Sequence, residues 1–111
     1  MTRITAKKGN PNYVAGRRAE YEARDILLSE GYAVMRAAGS KGAADLVGVK
    51  PVSDTFYGGK WTPFLEVLWV SCKRGTGRAD AAQRDRLRAL PGRCEVWTRQ
   101  RGGVWVREVV K

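Results

Sequence analysis

A few side chains in this 111-residue chain have the types and spacing for phosphodiester chemistry. Asp45 opens the short apolar run Asp45-Leu46-Val47-Gly48-Val49, directly after the small-residue loop Ala38-Gly39-Ser40-Lys41-Gly42. Lys73 closes the run from Phe64 to Cys72, two residues after Ser71, so in a strand both side chains leave the same face. Glu20 and Glu22 lie in a stretch with helical spacing. Carboxylates converging at one sheet edge suit a hard cation such as Mg²⁺, which takes oxygen ligands. Such an ion polarises a phosphodiester and acidifies a bound water, while a lysine positions that water or meets developing negative charge. The chain has no histidine, which excludes imidazole catalysis, His-ligated zinc and the Ser/His/Asp triad.

These residues need elements to hold them. Residues 1–13, with Lys7, Lys8, Gly9, Asn10 and Pro11, have no apolar period and read as a flexible basic arm; residues 14–111 read as one domain. From about Val14 to Glu30, Ala19, Ala23, Ile26 and Leu27 follow the i, i+4, i+7, i+8 pattern of an amphipathic helix, ended by Gly31. Its apolar stripe leaves Glu20 roughly 75° to one side and Glu22 roughly 85° to the other, and periodicity does not choose between them. Tyr32–Arg36 and Asp45–Val49 read as short strands, Pro51–Trp61 as a region containing a turn, and Phe64–Cys72 as a central strand covered on both faces. Asp80–Leu90 reads as a second helix stopped by Pro91-Gly92, and Cys94–Thr98 pairs with Val104–Val110 in a hairpin. The order α-β-β-β-α-β-β is that of a small α/β domain.

Charge names the partner. The net charge is +10, and residues 72–111 alone hold 11 basic and 4 acidic groups. A surface of this kind binds phosphate backbone, releasing condensed counterions. At 43% hydrophobic the chain is too apolar for a disordered basic tail. Its longest apolar stretch falls far short of the ~20 residues a membrane span requires, so no membrane partner is expected. Cys72 and Cys94 are too few for a disulfide framework or a four-cysteine zinc site, and the start Met1-Thr2-Arg3 lacks a signal-peptide apolar run. An intracellular setting is expected. Trp61, Trp69, Trp97 and Trp105 are dispersed along strands, which suits core packing or a dimer face better than base stacking.

Gly16-Arg17-Arg18-Ala19-Glu20-Tyr21-Glu22, then Gly31 through Gly42 with its Arg-x-x-Gly-Ser-Lys loop, then Ala44-Asp45-Leu46-Val47, resembles the archaeal-type Holliday junction resolvases of the PD-(D/E)XK nuclease superfamily. The resemblance runs from about Gly16 to Lys73. It implies a restriction-endonuclease-like domain, a mixed central sheet flanked by helices, and a homodimer that nicks four-way DNA junctions in pairs with Mg²⁺, or Mn²⁺ as a substitute. It places the family's helix glutamate on Glu20, its loop serine on Ser40, its metal-binding aspartate on Asp45 and its active-site lysine on Lys73. Arg17, Arg18, Arg36, Lys41, Arg74, Arg78 and Arg84 are the candidate DNA-backbone contacts.

Two positions depart from the family pattern. The proline of the superfamily's name is Ala44 here. The expected Glu-x-Lys is Ser71-Cys72-Lys73, and a serine hydroxyl is a poor Mg²⁺ ligand beside a carboxylate. A substitute acid would come from Asp80 or Asp85 on the following helix, or from Glu66, which in a regular strand faces away from Ser71. Alternatively Glu20 and Asp45 hold the metal with water, or catalysis is impaired. Gln83 lies on the helix after the lysine, where related nucleases often carry a glutamine near the site. The competing functions are a nuclease for other branched or duplex DNA and a non-catalytic nucleic-acid-binding module of the same fold.

Overall fold

The computed structural model describes residues 11–37 and 42–111. Helix α1 spans Pro11–Ser29, beginning inside the stretch the sequence reading assigns to the arm. A proline fits the first helical position, where its missing N–H has no intrahelical partner to lose. The periodic positions Ala19, Ala23 and Leu27 are buried against the sheet. At the C-terminus, Tyr32 N–H donates to Leu27 O at 3.1 Å and Gly31 N–H to Leu28 O at 3.1 Å, the paired bonds of a Schellman cap. That cap turns Tyr32 back onto Leu27, within one hydrophobic cluster.

Five strands follow: β1 (Ala33–Arg36), β2 (Leu46–Tyr57), β3 (Lys60–Arg74), β4 (Arg93–Arg99) and β5 (Trp105–Val109). They form one sheet in the order β1-β2-β3-β4-β5. All neighbours are antiparallel except β3 and β4, which run parallel because helix α2 (Ala81–Arg88) crosses between them. A single turn of 3₁₀ helix, Arg101–Gly103, closes the β4–β5 hairpin.

β2 and β3 are much longer than the sequence suggests. The turn expected between Pro51 and Trp61 is present but confined to Gly58-Gly59: both strands continue to this tight reversal, whose φ values of 58° and 82° fit a type I′ hairpin turn. Pro51 reads as a breaker because it cannot donate to a ladder. It is accommodated by a register shift between Pro51 and Ser53, beyond the part of β2 that pairs with β1.

Alternation along β3 divides the core. Leu68 and Val70 pack with Ala23, Leu27, Tyr32, Leu46 and Trp97 under α1. Trp69 packs on the other cluster, which contains Leu87 of α2, Cys94, Val96, Ala43 and Ala44. Trp97 is fully buried and meets Trp105 edge-to-face, with ring centroids 6.1 Å apart. Gly92, which starts the return into β4, has φ +101°, and a Cβ there would lie 2.7 Å from Val67 O. Gly92→Ala is therefore expected to destabilise the fold by about 3 kcal/mol, combining left-handed strain with a backbone clash. A urea unfolding curve with an unchanged midpoint would refute this.

Candidate active site

Asp45 lies one residue before β2 and is held by backbone on both sides. Its carbonyl accepts from Ala37 N–H at 2.9 Å, and its N–H donates to Val70 O at 2.8 Å. Its carboxylate Oδ2 accepts from the backbone N–H of Cys72 at 2.6 Å. The acid is thus docked against the end of β3, beside the residue that precedes Lys73. Arg36, Ala37, Gly42, Ala44 and Asp45 line a shallow cleft here.

Glu20 approaches from α1. Its carboxylate lies 3.5 Å from Arg36 Nη2, the last residue of β1. Burial, and then the charge of Asp45, raise its carboxyl above the ordinary value, while Arg36 and Arg17 pull it down. Cys72 reports the same convergence. Burial chiefly raises its thiol, the charges of Asp45 and Glu20 raise it further, and Lys73 opposes them. Glu22 goes elsewhere: it accepts a hydrogen bond from Arg99 Nε at 2.9 Å, which holds its carboxyl below the usual range. The two glutamates that helical periodicity leaves open thus have different surroundings: Glu20 pairs with Arg36 and feels the charge of Asp45, whereas Glu22 pairs with Arg99.

Ser71 is fully buried. Gln83 Nε2 donates to its Oγ at 2.9 Å and also reaches Gly42 O at 3.3 Å and Ala43 O at 3.4 Å. The glutamine amide therefore ties α2 to β3 and to the segment that delivers Asp45. The sequence marks Gln83 only as a helix residue of open role; its buried partner lies on another element.

The other acids are engaged away from this point. Asp80 is the N-cap of α2, with Oδ1 accepting from Gln83 N–H at 2.8 Å. Asp85 is exposed and pairs with Arg88 at 3.0 Å. Glu66 accepts from the Tyr32 hydroxyl. Among the described residues no three acids, cysteines or histidines gather as a metal cage. Ser40 and Lys41 lie outside the described residues.

The basic candidates divide in the same way. Arg17 donates to the Tyr21 hydroxyl at 2.7 Å, and Arg18, Arg74 and Arg78 are exposed. Arg84 uses both terminal nitrogens on Glu108, at 3.0 and 2.8 Å. Two arginines that the sequence reading leaves out, Arg99 and Arg101, flank the cleft beyond Arg74. The Arg-x-Arg-Gly-Gly hairpin loop was their only visible signal.

A five-stranded mixed sheet with a helix on each face, and its single parallel pair spanned by α2, defines the restriction-endonuclease-like α/β class. The same fold occurs in the 1.6 Å structure of Archaeoglobus fulgidus Hjc, a Holliday junction resolvase from an archaeal hyperthermophile. The two agree with a TM-score of 0.61 at 19% identity, over 86% of this chain and 73% of that one. At that identity the likeness is one of fold. No family model matches the chain, and no curated protein sequence matches it. No helix among the described residues is long and apolar enough to cross a membrane.

Proposed function

We propose that the chain is a divalent-metal-dependent endonuclease that acts as a homodimer on branched DNA, cutting four-way junctions by paired nicks. The observation that carries this reading is the convergence of Glu20, Asp45 and Lys73 around Cys72 on a resolvase-type fold. Two carboxylates near enough for one to raise the other's affinity for a proton suit a divalent cation, which relieves their repulsion. Glu20 and Asp45 would hold Mg²⁺ or Mn²⁺, with waters completing the shell. When bound, the ion supplies Lewis acidity toward the phosphodiester and acidifies a water.

The protein's own residues do the positioning. The Cys72 N–H fixes the Asp45 carboxylate, and Arg36 steadies Glu20. Lys73 offers an ammonium to the charge that develops on the phosphate. Ser40 and Lys41 are assigned to the site through the family resemblance. Arg17, Arg18, Arg36, Lys41, Arg74, Arg78 and Arg84 are proposed contacts to the phosphate backbone, which orient the substrate without reading bases. Two sites related by a twofold axis would match the symmetry of a four-way junction.

This reading makes the metal set a two-carboxylate one. Asp85→Ala, Glu66→Gln and the cap-preserving Asp80→Asn are each expected to leave the cleavage rate within about twofold. A loss of about 100-fold in any one would identify it as the substitute acid.

Cleavage of a synthetic four-way junction and of linear duplex, each with Mg²⁺ and with EDTA, tests the whole proposal. Metal-dependent cutting of the junction but not of the duplex is expected. Equal cutting of both would leave a nuclease without junction selectivity. Binding with no metal-dependent cutting would favour the non-catalytic reading, which the buried Ser71 in place of a carboxylate supports.

A further inference from the structure

The carboxyl ends of β3 and β4 lie side by side in the sheet's one parallel pair, and Arg74 is directly opposite Arg99. Residues in register on neighbouring strands send their side chains to the same face, so two cationic side chains start from adjacent backbone positions. Arg101 follows in the 3₁₀ turn, and all three arginines line one open cleft with Gly75 and Gln100. The spacing is set by backbone, since Gly75 N–H donates to Arg99 O at 2.9 Å. Among the described residues one carboxylate answers these charges: Glu22, on Arg99 at 2.9 Å. Among the described residues neither Arg74 nor Arg101 forms a salt bridge. Three like charges held around one cleft repel one another, and among the described residues Arg99 alone of the three has an ion-pair partner. An anion relieves that repulsion. The cleft also opens at the carboxyl end of β3, the end against which Asp45 docks, with the Lys73 side chain leaving the strand on the opposite face.

We propose that Arg74, Arg99 and Arg101 form a phosphodiester-binding subsite that grips the DNA backbone next to the cleavage position, with Glu22 as an internal competitor for Arg99. Guanidinium forks match the paired oxygens of a phosphate and recognise it without regard to base. The identity of the ligand rests on the DNA-binding part of the reading above. Glu22 gives the subsite a second, opposite handle, because its removal frees a cation that is already in place.

The test is the anisotropy of a fluorescein-labelled four-way junction, titrated in EDTA at several salt concentrations. The R74Q/R101Q double variant is expected to bind about tenfold more weakly, and the slope of log K against log salt to flatten by about 1.8, the release expected for two phosphate contacts. Glu22→Gln is expected to bind about threefold more tightly, as Arg99 gains a phosphate partner. The double variant Arg86→Gln/Arg88→Gln, on the exposed face of α2, serves as the charge-matched control. Circular dichroism establishes that each variant is folded. A double variant whose slope matches that of the control would overturn the subsite, as would absence of junction binding by the unaltered protein. Addition of Mg²⁺ separates the two proposals. Binding with the expected slopes but no cutting removes the nuclease and keeps the subsite; cutting with an unflattened slope removes the subsite alone.

Discussion

Asp45→Asn is expected to lower metal-dependent cleavage of a four-way junction by about 10³-fold while leaving junction binding within about threefold. The two effects separate because asparagine keeps the carbonyl oxygen that accepts from Cys72 N–H, so the start of β2 stays docked on the end of β3. What disappears is the negative charge. With it go half of the proposed ligand set and the partner that raises the Glu20 carboxyl. Single-turnover cleavage with saturating enzyme measures the chemical step without interference from product release. Cleavage that survives would put the metal site elsewhere. Binding lost together with cleavage would mean that Asp45 serves the fold, and a urea midpoint would then fall in parallel.

Glu20→Gln is expected to cost about 10²-fold or more in cleavage and yet to make the metal-free protein more stable at neutral pH. The sign follows from the direction of the carboxyl's shift. Burial and the charge of Asp45 raise it above its unfolded value, so the folded state holds this proton more tightly than the unfolded one. Stability from this group therefore falls as pH climbs from the unfolded value through the raised folded value, and the deficit persists at pH 7. Glutamine removes the deficit. Urea unfolding without metal should show the variant ahead at pH 7, the difference closing as pH drops below the unfolded value of glutamate. Added Mg²⁺ should then reverse the order, since an ion that binds only the folded state stabilises the protein that binds it better. A variant that Mg²⁺ stabilises as much as the unaltered protein would remove Glu20 from the ligand set.

Ser71 is why the proposed metal set is limited to these two acids. The position where the family pattern expects a carboxylate lies in a fully buried pocket, and its hydroxyl accepts the Gln83 amide. An unpaired carboxylate would be costly there, whereas a hydroxyl is small, neutral and satisfied. Gln83 in turn holds the segment before Asp45 through Gly42 and Ala43. Where the family pattern has an acid, this chain has a hydrogen-bonded pair that ties α2 to the segment preceding Asp45.

Much of this architecture was legible in the residues. The spacing of Ala19, Ala23 and Leu27 determined which face of α1 is buried, because 3.6-residue periodicity is a local property. The order of helices and strands, the end of α1 at Gly31 and the concentration of positive charge after residue 71 were equally local. The reach of β2 and β3 was not, because Pro51 reads as a break until a register shift between paired strands absorbs it. The family resemblance already pointed to Glu20 rather than Glu22, whereas what fills the place of the missing acid, and the meeting of Arg74 with Arg99, were decided by tertiary structure alone. Each depends on packing between elements: Glu22 and Arg99 are 77 residues apart, and Ser71 and Gln83 are joined only by the crossover that lays α2 on the sheet. The absence of histidine and the excess of arginine already pointed to a carboxylate–metal site on a phosphate-binding surface. The fold determined which carboxylates and which arginines come together, because side chains meet through sheet register and helix docking, and neither is written at any single position.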